Sequence, residues 1–476
     1  MALVSSDKGP HTGTGPRVLI LCHEAVGVNM SGPAIRYWEI ARALAYRFDV
    51  RLAHPSLEHA VGDGFSVVGY ARGDYRSLAA HVDWADVVVV YGYVLVGLPE
   101  LADCGKPLVV DLYDVFVIEE LTYHLRLPAG DQERAAADQV AILQAVLQAG
   151  DFFLCSSERQ RDFWLGTLAA EGRLNPRTLG ADQSLRSLID VVPFGIPTDP
   201  PEHTAPVLKG VHPRISASDR VLLWGGGLWD WFDPLTLIRA MAKVHEKRPD
   251  VKLYFLARQH YSGGNLAPMQ AGLDAVNLAR ELALLDECVF FGEWVPYADR
   301  GNYLLEADLG VSLHTAGLET HFAFRTRLLD CIWAGLPILA TSGDTLGELV
   351  ATAGLGKVVP CDDADAVATG ILSLLAEDDL RARLAPSFAA AGADLMWDRA
   401  VEPLVRFLQR PRFAPDREPG RSLNSQKKAV RAGAGIKPTP YLALPIKALR
   451  VLREGGLSSL RWEIGRYLNW WKLYRH

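Results

Sequence analysis

No two cysteines in this chain stand in Cys-x-x-Cys spacing; the six present, Cys22, Cys104, Cys155, Cys288, Cys331 and Cys361, are scattered. That spread argues against the common zinc and dithiol motifs and for buried free thiols in a reducing compartment. The opening stretch, "MALVSSDKGPHTGTGP", lacks the apolar segment of a secretory signal. No apolar run reaches the ~20 residues that cross a bilayer; the longest, around "VVVVYGYVLVGLP", suits a buried strand and turn. A cytoplasmic protein is expected. A basic surplus is missing too: the net charge of -7 excludes a chain whose whole surface neutralises nucleic-acid phosphates.

What is present is uneven in charge. From Pro411 to His476 there are 14 Lys and Arg against 4 Asp and Glu, a net of +10, which leaves -17 on the rest. At 476 residues the chain exceeds one ordinary core, so two domains with extensions are expected.

Short apolar runs recur between helical stretches, the pattern of parallel strands covered on both faces. The first half has "RVLILC", "DVVVVY", "PLVVDL", "FFLCS" and "IDVVPFGI"; the second has "RVLLWGGG", "VKLYFLA", "CVFFG", "LGVSLH", "PILAT" and "KVVP". The expected architecture is α/β: two Rossmann-like, doubly wound domains facing each other across a cleft. The boundaries follow from prolines and composition. A disordered N-terminus spans 1–16, the first domain 17–197, a linker 198–216, the second domain 217–385 and a helical extension 386–410. A basic linker and amphipathic helix fill 411–476. In that last helix Leu457, Leu460, Ile464, Leu468 and Trp471 keep helical spacing among Arg461, Arg466, Lys472 and Arg475. Trp462, Trp470 and Trp471 with a basic face suit an anionic membrane surface better than packing on the body.

One stretch, "ETHFAFRTRLLDCIWAGLP", reads as a helix ended by Gly335 and Pro337, with charge crowded at its start. In a doubly wound sheet that start lies at the ligand side. Backbone amides there can hold phosphate, Arg325 or Arg327 can add charge-assisted bonds, and Asp330 can accept from ribose hydroxyls. On a continuous helix Glu319 and Asp330, eleven positions apart, would return to one face within roughly 20°.

Here residues 17 to 408 resemble the retaining glycosyltransferases of family 4, of GT-B architecture. The resemblance rests on ordered motifs: "GVNMSGPAIRYWEIARALA", "VVPFGI", "WGGGLWDWFDPLTLIRAM", "VFFGEWVPYADRGNYLLEADLGVSLH", the charged stretch, "SGDTLGELV" and "GLGKVVPCDDADAVATGILSLL". It implies a retaining, metal-independent hexosyltransferase. The donor would be a nucleotide sugar, a co-substrate rather than a cofactor, and the acceptor a glycan or lipid-linked precursor of cell-surface polysaccharide at the inner face of the plasma membrane. Asp330 occupies the family's second acidic position, the ribose ligand. Phe322 stands where the first glutamate is usual, with Glu319 three residues early as its replacement in orienting the donor sugar. The family's basic pair near the first strand of the second domain is absent from "GGGLWDWFDP". Arg258, Arg325 and Arg327 are the candidates to neutralise the diphosphate, with Gly226 and Gly227 permitting close backbone approach and Gly32 a donor-side candidate at a helix start.

Plainer roles compete. Arg327 and Asp330 could form an i,i+3 surface pair. Asp363 and Asp365 form a D-x-D string but precede a helix, so capping is expected and no metal site. Asp111 and Asp114 follow a strand; one of them, Asp114 in the catalytic assignment, contacts sugar or acceptor, or else both cap. His23 and Glu24 are acceptor-side candidates, and His314 and His321 flank the donor site. Two other functions remain: a nucleotide-sugar 2-epimerase, or a non-catalytic partner subunit that has lost the basic pair.

Overall fold

The computed structural model describes residues 15–56, 60–125, 128–257 and 269–417. Its first sheet has seven parallel strands: β1 (Arg17–Leu21), β2 (Asp49–His54), β3 (Ser66–Gly69), β4 (Val87–Tyr91), β5 (Leu108–Asp111), β6 (Phe152–Cys155) and β7 (Ile189–Val191). Their order is β3-β2-β1-β4-β5-β6-β7. The second has six: β8 (Arg220–Trp224), β9 (Val251–Phe255), β10 (Val289–Phe291), β11 (Leu309–Ser312), β12 (Ile338–Thr341) and β13 (Gly356–Val359), in the order β10-β9-β8-β11-β12-β13. Both orders reverse beside the first strand, the arrangement of a doubly wound fold.

The apolar runs become these strands because a parallel strand with helices on both faces has no solvent side. All five residues of β4 and all four of β5, β6, β11 and β12 are buried. Two strands had no such run to announce them. β2 and β3 lie toward the sheet edge, where Arg51 stays only half-buried, its guanidinium 4.0 Å from the Trp84 ring.

Contacts divide the described chain into two compact units: 15–26, 33–192 and 401–417 in one, 27–32 and 193–400 in the other. Two segments differ from the expected boundaries. The stretch taken as a linker, 198–216, is built onto the second unit. Glu306 accepts from the amides of Val207, Leu208 and Lys209 at 2.8, 2.7 and 2.8 Å, while Leu208 and Ile215 share a core cluster with Val221 and Phe290. The end of the described chain belongs to the first unit. Buried Arg173 pairs with Asp416 at 2.8 Å, Arg417 pairs with Asp151 at 2.7 Å, and Phe407 stacks on Phe152 at 4.6 Å. The basic tail from 418 onward, where an amphipathic helix is expected, lies outside the described residues.

Helix Thr326–Ala334 is seated unusually close to its sheet. A Cβ at Gly310 of β11 would collide with the Cys331 thiol and sit 3.3 Å from Leu336. Gly310→Ala should therefore cost about 1–3 kcal/mol through overpacking, seen as a lower urea midpoint at unchanged slope. Adding Cys331→Ala should restore most of it; an unaltered midpoint for Gly310→Ala would refute the tight seating.

Candidate functional site

The charged stretch after β11 is not one helix. It forms a short helix, Leu318–Phe322, an extended turn at Ala323, and a second helix, Thr326–Ala334. The expected common face of Glu319 and Asp330 is thereby lost. The break lets Glu319 form an ion pair with Arg325 at 2.5 Å. Six residues apart on a continuous helix, the two side chains would point roughly 120° apart and could not meet. Thr320 fixes the short helix by donating to the Thr315 carbonyl at 2.7 Å. Behind it His314, buried, bonds Asp344 at 2.7 Å through Nε2, and Asp344 also caps helix Thr345–Ala353 by accepting from Leu346 and Gly347. His321 is surface-exposed against Phe322.

Arg327 turns back across the sheet end instead of pairing with Asp330. Its Nη2 donates to the Gly227 carbonyl at 3.0 Å, and its guanidinium lies 3.7 Å from the centre of the Phe232 ring. Arg325 is 5.0 Å from the same ring. Burial, and then the charge of Arg325, lower the Arg327 pKa. Arg327 forms no ion pair among the described residues, and Arg327 Nη1 and Arg325 Nε are buried atoms without a hydrogen-bond partner. Such groups are costly unless an anion completes them. Arg325 is also the N-cap residue of helix Thr326–Ala334, and its side chain makes no cap bond.

The Gly225–Gly227 turn fits close backbone approach. Gly226 has φ of 76°, a left-handed conformation, and a Cβ there would meet nothing within 4 Å. The acids that follow, which looked hostile to a diphosphate, have other duties. Asp233 caps helix Pro234–Lys247 through the Thr236 amide at 2.9 Å, and Asp230 accepts from the Ala271 amide at 2.9 Å.

Asp330 is partly exposed. Arg300 engages its Oδ1 at 3.1 Å, and Arg300 is itself held over Tyr297 and Trp333. So Arg325, Arg327, Glu319 and Gly227 are brought together, and Asp330 sits on the same helix beside its own arginine. Arg258 lies outside the described residues. Gly32 begins helix Gly32–Ala45, with open space where a Cβ would stand. Asp363 caps helix Ala364–Leu375, accepting from Ala366 at 2.8 Å, and Asp365 pairs with Lys243 at 2.6 Å.

The first unit has its own polar cluster at the carboxyl ends of β1, β4 and β5, where the strand order reverses. Asp111 is fully buried and taken up by Arg36, with bonds of 2.6 and 2.9 Å, while Arg36 also donates to the Val192 carbonyl. Asp111 is thus structural. Asp114 accepts from the Tyr91 hydroxyl at 3.0 Å, and burial raises its pKa to about 7. Tyr91 stacks on His23 at 4.6 Å. Burial lowers His23 to about 3 and raises Glu24 to about 7. This cluster disfavours charge.

Sequence reasoning missed Arg36, Tyr91, Phe232 and Asp344. Phe232 alone left a signal, an aromatic run directly after a Gly-rich turn.

Residues 219–377 match the family model described as glycosyl transferases group 1. Over 146 residues the chain is 27% identical to the phosphatidyl-myo-inositol mannosyltransferase of Mycolicibacterium smegmatis, which covers 31% of this chain and only 33% of that relative. Similar solved structures include a sucrose-phosphate synthase from Thermosynechococcus elongatus, with a TM-score of 0.57, 15% identity, and coverage of 83% of this chain and 98% of that one. HepE of Anabaena, solved with UDP and glucose, has a TM-score of 0.56, 17% identity, and coverage of 83% and 99%. Residues 219–377 are thus similar to the glycosyl transferases group 1 family, in a chain whose fold is GT-B.

Proposed function

We propose that the protein is a retaining, metal-independent glycosyltransferase that moves a hexose-type sugar from a nucleotide sugar to a glycan or lipid-linked acceptor in cell-surface polysaccharide synthesis. The observation that carries this is the pair Arg325 and Arg327 beside the Gly225–Gly227 turn, with buried N–H groups that lack partners. Such preorganised donors stabilise a diphosphate as negative charge grows on it during cleavage of the glycosidic bond. In this mechanism Arg325 and Arg327 bind that charge, Glu319 holds Arg325 and reaches the donor sugar, and Asp330 accepts from the ribose. Asp114 accepts from the acceptor hydroxyl. The order of motifs along the chain supports the retaining assignment, which the anomeric configuration of the product would test. The basic, Trp-rich sequence after 456 supports an anionic membrane as the place where the acceptor is met.

The donor is tested by thermal unfolding against a panel of nucleotides and nucleotide sugars, since a ligand at ~100 times its dissociation constant adds roughly 2.7 kcal/mol. A shift selective for one base is expected, and Asp330→Ala should weaken that nucleoside diphosphate about tenfold or more. No shift from any nucleotide would overturn the assignment; an unchanged affinity in the variant would remove Asp330 from the site.

Asp114 gives a pH signature. Its carboxylate form prevails above about pH 7, so kcat/KM for acceptor should rise through that pH and flatten in Asp114→Asn. Stability runs the other way. Because folding raises this pKa from 3.8, the contribution is complete below 3.8 and lost as pH rises through about 7. Asp114→Asn should unfold at higher temperature than wild type at pH 8 and at nearly the same temperature at pH 4. Parallel curves at both pH values would contradict the burial of this carboxyl.

Removing everything after Gly456 should abolish binding to anionic vesicles; sedimentation of the shortened chain with such vesicles would refute the membrane role.

A further inference from the structure

The Gly225–Gly227 turn has no basic side chain of its own, and its two following acids are engaged elsewhere. What the same loop does supply is an aromatic ring. Phe232 is buried, and its backbone is pinned by an isolated bridge to His314 and by donation to the Trp229 carbonyl. Trp224, the last residue of β8, meets it edge-on at 5.8 Å and 89°. Both arginines of the charged stretch lie over this one ring, at 3.7 Å for Arg327 and 5.0 Å for Arg325, and Arg327 is also 5.0 Å from the Trp224 ring.

Two neighbouring guanidiniums repel each other, and each long side chain resists confinement to one rotamer. Glu319 relieves one of them only. The negative face of an aromatic ring attracts guanidinium groups, and a flat ring holds their planes in place. Leucine would fill similar space without doing either.

We propose that Phe232 is a positioning residue for the donor diphosphate. It holds Arg325 and Arg327 so that both face one anion, in place of basic side chains in the Gly225–Gly227 turn. The inference rests on the donor assignment above and adds the group that makes an arginine pair on a neighbouring helix serve a turn that lacks charge. Phe232 touches the guanidiniums rather than the substrate, so its effect must follow the phosphates and not the base.

The test uses the full chain and calorimetric titration with UDP, GDP and inorganic pyrophosphate, with the matching nucleosides followed by ligand-observed NMR. Phe232→Leu should weaken the preferred nucleoside diphosphate and pyrophosphate by about tenfold while leaving the nucleoside unchanged. Phe232→Tyr, which keeps the ring, should stay close to wild type. Unchanged diphosphate affinity in Phe232→Leu, or equal loss for diphosphate and nucleoside, would overturn the positioning role while the donor assignment stood. If the wild-type chain binds neither UDP nor GDP, the donor assignment falls and takes this inference with it. Should Phe232→Leu fail to fold, Arg327→Lys keeps the charge but not the planar contact. It should show the same split between phosphate and nucleoside, and wild-type affinity there would count against the proposal.

Discussion

Two arginines share one phenyl ring while a single carboxylate answers only Arg325, and several features of the second unit make that possible. The chain must break between Phe322 and Thr326, or Glu319 could not reach Arg325. Gly310 must lack a side chain, or helix Thr326–Ala334 could not sit low enough on β11 beside Cys331. The loop after β8 must bring Phe232 beneath both guanidiniums and offer the Gly227 carbonyl to Arg327. Charge that no internal carboxylate fully answers, held at the ligand end of a parallel sheet, suits an anion and underlies the donor site proposed above.

The polar cluster of the first unit has the opposite character. Its one strong cation, Arg36, is matched to Asp111 with no exposure of either side chain. The remaining groups, His23, Glu24 and Asp114, are each pushed by burial toward their neutral forms. The cluster in the second unit gathers positive charge, whereas the one in the first unit suppresses charge. That contrast underlies the roles proposed for Arg325, Arg327 and Asp114.

The parallel strands were legible because burial on both faces leaves no polar alternation, and "DVVVVY" or "LGVSLH" can hardly be anything else. β2 and β3 escaped because Arg51 in β2 and Ser66 in the edge strand β3 interrupt the apolar signal. The candidate donor residues were legible as types near a strand end. Their partners were not: Asp330 met Arg300, thirty residues away, and Arg327 met a carbonyl a hundred residues away. Asp111 and Asp114, three residues apart, looked equivalent until Arg36 claimed one of them.

The sequence by itself determined the fold class and the neighbourhood of the site, because strand burial and helix-start position are local consequences of residue order. It also exposed the lack of basic residues in the Gly-rich turn. Only the tertiary structure decided which charges remain for a ligand, since that depends on pairings between distant segments. Asp233 became a cap, Asp111 an internal counter-ion and Phe232 a support, while Arg327 kept an N–H group with no partner. The reason is physical: an ionisable side chain acquires its role from whatever packing places within a few ångströms of it, and packing is a property of the whole domain.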